Sequence, residues 1–154
     1  MADWYQTFAE TAGWDWLLDI QVHPSMDRII EQVRSLLGKH SAIAAVYLLG
    51  SAATGGLRDD SDIDIALLPL CEQVISVQSR LEMVALLEGQ LNRTVDVGVI
   101  TVNNLIYASE AILKGQRILT AQKEYTEAME TRLLGCYLTL RQDRKKVEDS
   151  YCAA

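Results

Sequence analysis

The chain of 154 residues carries 21 acidic against 14 basic side chains, a formal net charge of −7 and a pI near 4.8. That balance argues against non-specific binding to a nucleic-acid backbone, which draws its affinity from Lys and Arg. A hydrophobic share of 49% with 23% charged residues argues against a disordered chain, and the length suits one domain with a single core.

In chain order, residues 1–25 hold Trp4, Tyr5, Phe8, Trp14, Trp16, Leu17 and Leu18, spaced unevenly enough for two short helices that need a surface to cover the indoles. Pro24 and Ser25 read as a break and an N-cap. Met26, Ile29, Ile30, Val33, Leu36 and Leu37 then recur at helical spacing up to Gly38. Ile43 to Leu49 reads as a first strand and Asp62 to Leu68 as a second, closed by Pro69. A helix is expected from about Glu72 to Leu91, with Val77, Leu81, Val84, Ala85, Glu88 and Leu91 on its inner face.

Arg93 to Ile100 reads as a third strand. Asn103 is placed to cap a helix whose Leu105, Ile106, Ile112 and Leu113 face inward and which Gly115 ends, and Arg117 to Leu119 as a short edge strand. From about Gln122 to Ser150 a long helix carries Met129, Leu133, Cys136, Tyr137, Leu140 and Val147 on one face. At 1.5 Å per residue it reaches ~40 Å, more than a small sheet can cover, so its basic last turns, Arg141 to Lys146, are a docking element for a helical partner or a solvated end.

The chemistry concentrates between the first and third strands. Gly50-Ser51 ends the first strand, and after a gap of ten residues Asp62-Ile63-Asp64 opens the second. Carboxylates at i and i+2 share one face of a strand while Ile63 and Ile65 point the other way into a core. Asp96, flanked by Val95 and Val97, repeats the pattern, so three carboxylates converge if the two strands are neighbours. Such a cluster resists desolvation and calls for positive charge, for which a divalent metal is the simplest source. Two Mg²⁺ ions ~3.5–4 Å apart are a standard device for in-line displacement at phosphorus. Gly50 and Ser51 offer N–H groups and a hydroxyl to phosphate oxygens, and Gly55 and Gly56 let the chain turn back toward the second strand. Neither a Walker loop nor a dinucleotide fingerprint is present.

The run from Val46 through Leu49-Gly50-Ser51 to Asp62-Ile63-Asp64-Ile65, with Thr94-Val95-Asp96-Val97 and the stretch Ile112 to Leu119, resembles the DNA polymerase β-like nucleotidyltransferases over about residues 26 to 151. More narrowly it is similar to the minimal nucleotidyltransferase antitoxins paired with HEPN-domain toxins. The resemblance implies an α+β fold, a small mixed sheet with helices packed on it and a long C-terminal helix, formed by residues 26–154 with 1–25 as an extension. It implies transfer of AMP from ATP to a tyrosine of a HEPN ribonuclease, in a hetero-oligomer with that toxin. Gly50 and Ser51 would hold the triphosphate, Asp62 and Asp64 would bind both Mg²⁺ ions, and Asp96 would complete the metal site beside the nucleophile, taking the phenol's proton or sharing a metal with it. Arg58 is a candidate to steady phosphate. The chain departs from relatives at Ala52, where Arg or Tyr often follows the Gly-Ser pair, and in its first 25 residues.

Two other functions fit these residues less economically. Adenylylation of a small hydroxylated molecule would need more chain for the acceptor, and sequestration of a toxin without catalysis would not need the carboxylates. Three cysteines, Cys71, Cys136 and Cys152, are too few and too scattered for a disulfide framework or a zinc site. His23 and His40 lie outside the motif. Asp3, Glu10 and Asp15 are unlike a signal peptide, and no apolar run approaches the ~18 residues of a membrane span. A cytoplasmic protein with reduced thiols is expected.

Overall fold

The structure, a computed structural model, describes residues 26–152 apart from 54–55, 57, 59–60 and 72–73. The expected N-terminal helices, the Pro24-Ser25 break and the turn at Gly55 lie outside the described residues.

The elements follow in the order α1 (Met26–Leu37), β1 (Ile43–Leu48), α2 (Gly50–Ala53), β2 (Ile63–Pro69), α3 (Val77–Leu91), β3 (Val95–Val99), α4 (Leu105–Lys114), β4 (Gln116–Thr120) and α5 (Lys123–Cys152). The strands form one mixed sheet in the order β3-β2-β1-β4. β1 runs antiparallel to both β2 and β4, whereas β2 and β3 are parallel. A parallel pair needs a crossover between its strands, and α3 supplies it.

Every residue of β1 is buried, because helices cover the sheet on both faces there. On one face Val46, Leu48, Ile63, Ile65, Leu67, Val95 and Val97 pack under α1 and α3. On the other, Ala44, Tyr47, Ala66 and Leu68 meet Ala108 and Ala111 of α4 and Leu133 of α5. The α1 stripe packs as its spacing requires, burying Ile29, Ile30, Val33 and Leu37. The Arg34 guanidinium fastens that helix to β4 by donating to the Ile118 carbonyl at 2.5 Å.

Five expectations need correction. The helix foreseen from Glu72 begins at Val77, where the Ser76 hydroxyl caps it by accepting from the Ser79 N–H; Val74, Ile75 and Ser76 are not helical. Its buried residues are Met83, Leu87 and Leu91, while Val77 and Leu81 stand 65% and 59% exposed. Apolar residues occur almost all round this helix, so periodicity alone could not choose its inner face. Glu88, the polar exception, accepts from the Val95 N–H at 3.1 Å and secures the start of β3.

Asn104, not Asn103, caps α4. That helix buries the small residues Ala108, Ser109 and Ala111 and turns Ile106 and Leu113 outward. Small side chains let α4 approach the sheet closely, which larger ones on the same face would prevent. On α5, Leu133 is buried and Met129, Tyr137 and Leu140 are partly so, but Cys136 and Val147 are exposed. From Arg141 to Tyr151 the helix is solvent-exposed, with the Arg141 guanidinium 6.0 Å from the centre of the Tyr137 ring. None of the described helices is long and apolar enough to cross a membrane.

Candidate active site

The parallel pairing of β2 with β3 sets Asp64 directly across from Asp96, between the pairs Ile63 with Val95 and Ile65 with Val97. The isoleucines and valines point into the α1/α3 core, so by strand alternation the two carboxylates share the opposite face. Asp62 lies just before β2 and is exposed, Asp64 is half-buried, and Asp96 is exposed. The strands that carry Asp64 and Asp96 are neighbours, as convergence of these carboxylates requires.

Gly50 stands against this group. The Leu49 N–H donates to the Asp64 carbonyl at 2.9 Å, which seats the end of β1 on the start of β2. Gly50 has φ +57, and a Cβ there would lie 2.8 Å from Asp64 Oδ2. Only glycine combines that backbone with that closeness to the carboxylate. Ser51 follows on α2, and its carbonyl accepts from the Gly56 N–H at 3.0 Å. Arg58 is exposed; its carbonyl accepts from the Arg93 guanidinium at 2.6 Å and from the Ser61 N–H at 3.1 Å, so its main chain is fixed at the entrance to β2.

Burial raises the Asp64 carboxyl above its ordinary range, and the negative charges of Asp96 and then Asp62 raise it further. Like charges that disfavour one another's ionised form are the electrostatic setting a divalent cation relieves. Three hard carboxylate oxygens also suit Mg²⁺ better than a soft metal. Among the described residues, no three potential ligands are drawn together closely enough to hold a metal as they stand. The donor chemistry of these carboxylates fits Mg²⁺.

Two further side chains near the motif come from α4, which the sequence connects to it by no spacing rule. Glu110 and Lys114 border a cleft of about 290 Å³ with Leu49, Gly50 and Gly115, so an ammonium group stands at the same opening as the glycine. Lys114 is paired with Glu110 at 2.8 Å, and that hydrogen bond and charge raise its pKa. Near the other end of α4, the Tyr107 hydroxyl lies against Gly98 of β3, so closely that a Cβ at Gly98 would collide with it. Burial pushes the Tyr107 phenol up to about 12, with Asp96 and Asp64 adding to the rise and Arg80 opposing it.

Residues 31–124 match the family model described as polymerase beta, nucleotidyltransferase. No curated protein matches the chain in sequence. Among solved structures, the fold is similar to a chain of a toxin–antitoxin with AMP-PNP, at 21% identity and TM-score 0.66 over 80% of this chain and 98% of that one. It is similar also to a chain of the tri-AMPylated Shewanella oneidensis HEPN toxin in complex with MNT antitoxin, at 19% identity and TM-score 0.65 over 82% and 98%. A chain of the toxin–antitoxin MntA-HepT gives 19% identity and TM-score 0.61 over 80% and 97%. At these identities the likeness is one of fold.

Proposed function

Because this chain belongs to the polymerase beta, nucleotidyltransferase family, we propose that it is an antitoxin that transfers AMP from ATP to a tyrosine of a cognate HEPN-domain toxin, in a Mg²⁺-dependent reaction. The observation that carries this reading is the register of Asp64 against Asp96 directly beside Gly50. Structural neighbours with AMP-PNP and with an AMPylated HEPN toxin support the choice of nucleotide and acceptor. Residues 26–154 would form the transferase unit, with 1–25 an extension, working in the cytoplasm in complex with the toxin.

In this mechanism the backbone and hydroxyl of Gly50 and Ser51 bind the β- and γ-phosphates, with Lys114 close enough to add positive charge and Arg58 at the loop edge. Asp62, Asp64 and Asp96 would hold Mg²⁺, which supplies neutralisation of the triphosphate and of the departing pyrophosphate. The acceptor's phenolic oxygen attacks the α-phosphorus, forming a new O–P bond as the bond from that phosphorus to the α,β-bridging oxygen breaks. Pyrophosphate leaves with that electron pair. Asp96, exposed on the edge strand where an acceptor can approach, takes the phenolic proton.

Intact-mass measurement of the HEPN partner after incubation with ATP and Mg²⁺ tests the proposal. Mass gains in whole AMP units are expected with the native chain and not with Asp62→Ala/Asp64→Ala. No gain with either version, while both still bind and silence the toxin, would replace transfer with sequestration.

A further inference from the structure

β3 is an edge strand, and along it Asp96 and Gly98 lie two residues apart on the same face, roughly 6–7 Å from Cα to Cα. Asp96 is exposed and Gly98 partly so, which leaves this part of the sheet open to an incoming molecule. One side chain of α4 reaches over it. The first turn of α4 is tied down by Asn104, whose side-chain oxygen accepts from the Tyr107 N–H at 3.3 Å, and Tyr107 packs beside Ala108 and Leu105 in the second core cluster. The phenol is thereby laid across β3 with its hydroxyl on Gly98, the single position in Val95-Asp96-Val97-Gly98-Val99 with no side chain to displace it.

This arrangement sets a hydroxyl donor over Gly98, two residues along the strand from Asp96. At neutral pH a tyrosine phenol, with an ordinary pKa of about 10, keeps its proton. It is therefore fitted to donate to an oxygen and unfitted to act as a base. An acceptor hydroxyl placed between the two groups could accept from Tyr107 while donating its own proton to Asp96, which would leave its second lone pair aimed away from both.

We propose that Tyr107 is an acceptor-binding residue: its hydroxyl, seated on Gly98, holds the attacking hydroxyl of the acceptor against Asp96. The inference rests on the transferase reading above. It adds a residue from α4 on the acceptor side of the site, opposite Lys114 on the nucleotide side.

Steady-state AMP transfer to the purified HEPN partner, with Tyr107→Phe and separately Gly98→Ala, tests it. Losing one positioned hydrogen bond should lower kcat/KM for the acceptor by about fivefold to tenfold. The Kd for a non-hydrolysable ATP analogue and the melting temperature of Tyr107→Phe should stay at native values. Gly98→Ala should reproduce the acceptor-specific loss by displacing the hydroxyl. Native acceptor kinetics in either variant, or an equal loss in analogue binding, would overturn the assignment and leave Tyr107 a packing residue. Absence of transfer by the native chain itself would remove the transferase reading and this inference with it.

Discussion

The Tyr47 hydroxyl, at the centre of the sheet, donates a 2.6 Å hydrogen bond to a carboxylate oxygen of Glu130 on α5, and Arg117 on β4 meets the same oxygen at 3.0 Å. One carboxylate thus joins the inner strand, the edge strand and the long helix. Tyr47 is almost fully buried, so Glu130→Ala leaves a desolvated hydroxyl without its acceptor and should cost about 1–3 kcal/mol. Glu130→Gln keeps an acceptor and should recover part of that. The midpoint of urea unfolding reads both; an unchanged midpoint in Glu130→Ala would mean that this hydrogen bond does not help to hold α5 on the sheet.

The same contact gives an alkaline limit to stability. Burial, the hydrogen bond to Glu130 and the Glu130 charge raise the Tyr47 phenol well above its ordinary value, against a smaller opposing effect of Arg117. The folded pKa exceeds the unfolded value of about 10, so this contribution is complete below pH 10 and declines as pH rises from there toward the folded value. Urea midpoints should fall above pH 10 in the native chain. In Tyr47→Phe they should fall less, and equal slopes in the two would dismiss the mechanism.

The candidate site is legible where alternation along a strand carries it. Asp62, Asp64 and Asp96 each stand beside apolar residues of opposite orientation, so a shared face could be inferred before any pairing was known. What the sequence lacks is the register that sets Asp64 opposite Asp96, since one-residue slips are excluded only by the burial of Ile63, Ile65, Val95 and Val97 against α1 and α3. Lys114 and Tyr107 were invisible for a different reason: they reach the site from a helix whose placement depends on tertiary packing. The inner face of α3 is not legible because its apolar residues do not single out one side, nor that of α4 because small residues, not large ones, meet the sheet.

Gly50→Ala should damage both stability and transfer. The left-handed backbone costs a side-chain-bearing residue about 1–2 kcal/mol, and the new methyl group would press on Asp64 Oδ2. A fall in melting temperature accompanied by loss of ATP-analogue binding is expected. Native analogue affinity in Gly50→Ala would show that this turn does not hold the nucleotide.

Lys114→Ala should act on nucleotide affinity, because Lys114 borders the cleft beside Gly50 and is remote in sequence from the carboxylates. KM for ATP should rise by about tenfold or less, a modest change because the ammonium is exposed and screened. kcat at saturating ATP should change little. A fall in kcat at constant KM would instead give Lys114 a role in the transition state.

Asp64→Asn separates the stability of the site from its activity. The Asp64 carboxyl is raised by burial, by Asp96 and by Asp62, so its folded pKa lies above the unfolded value of about 3.9. Its contribution to stability is then complete below pH 3.9 and lost as pH rises through the folded value, where ionisation sets it against the charges of Asp96 and Asp62. Asp64→Asn should therefore melt no lower than the native chain at pH 7 in EDTA, while its AMP transfer falls by about 10²–10³-fold or more. Mg²⁺ binds only the folded state in this scheme, so it should raise the melting temperature of the native chain and not that of the variant. The discriminating result is the Mg²⁺ response: equal thermal shifts in both proteins would place the ion elsewhere, and a variant that melts well below the native chain in EDTA would mean that Asp64 supports the fold rather than straining it.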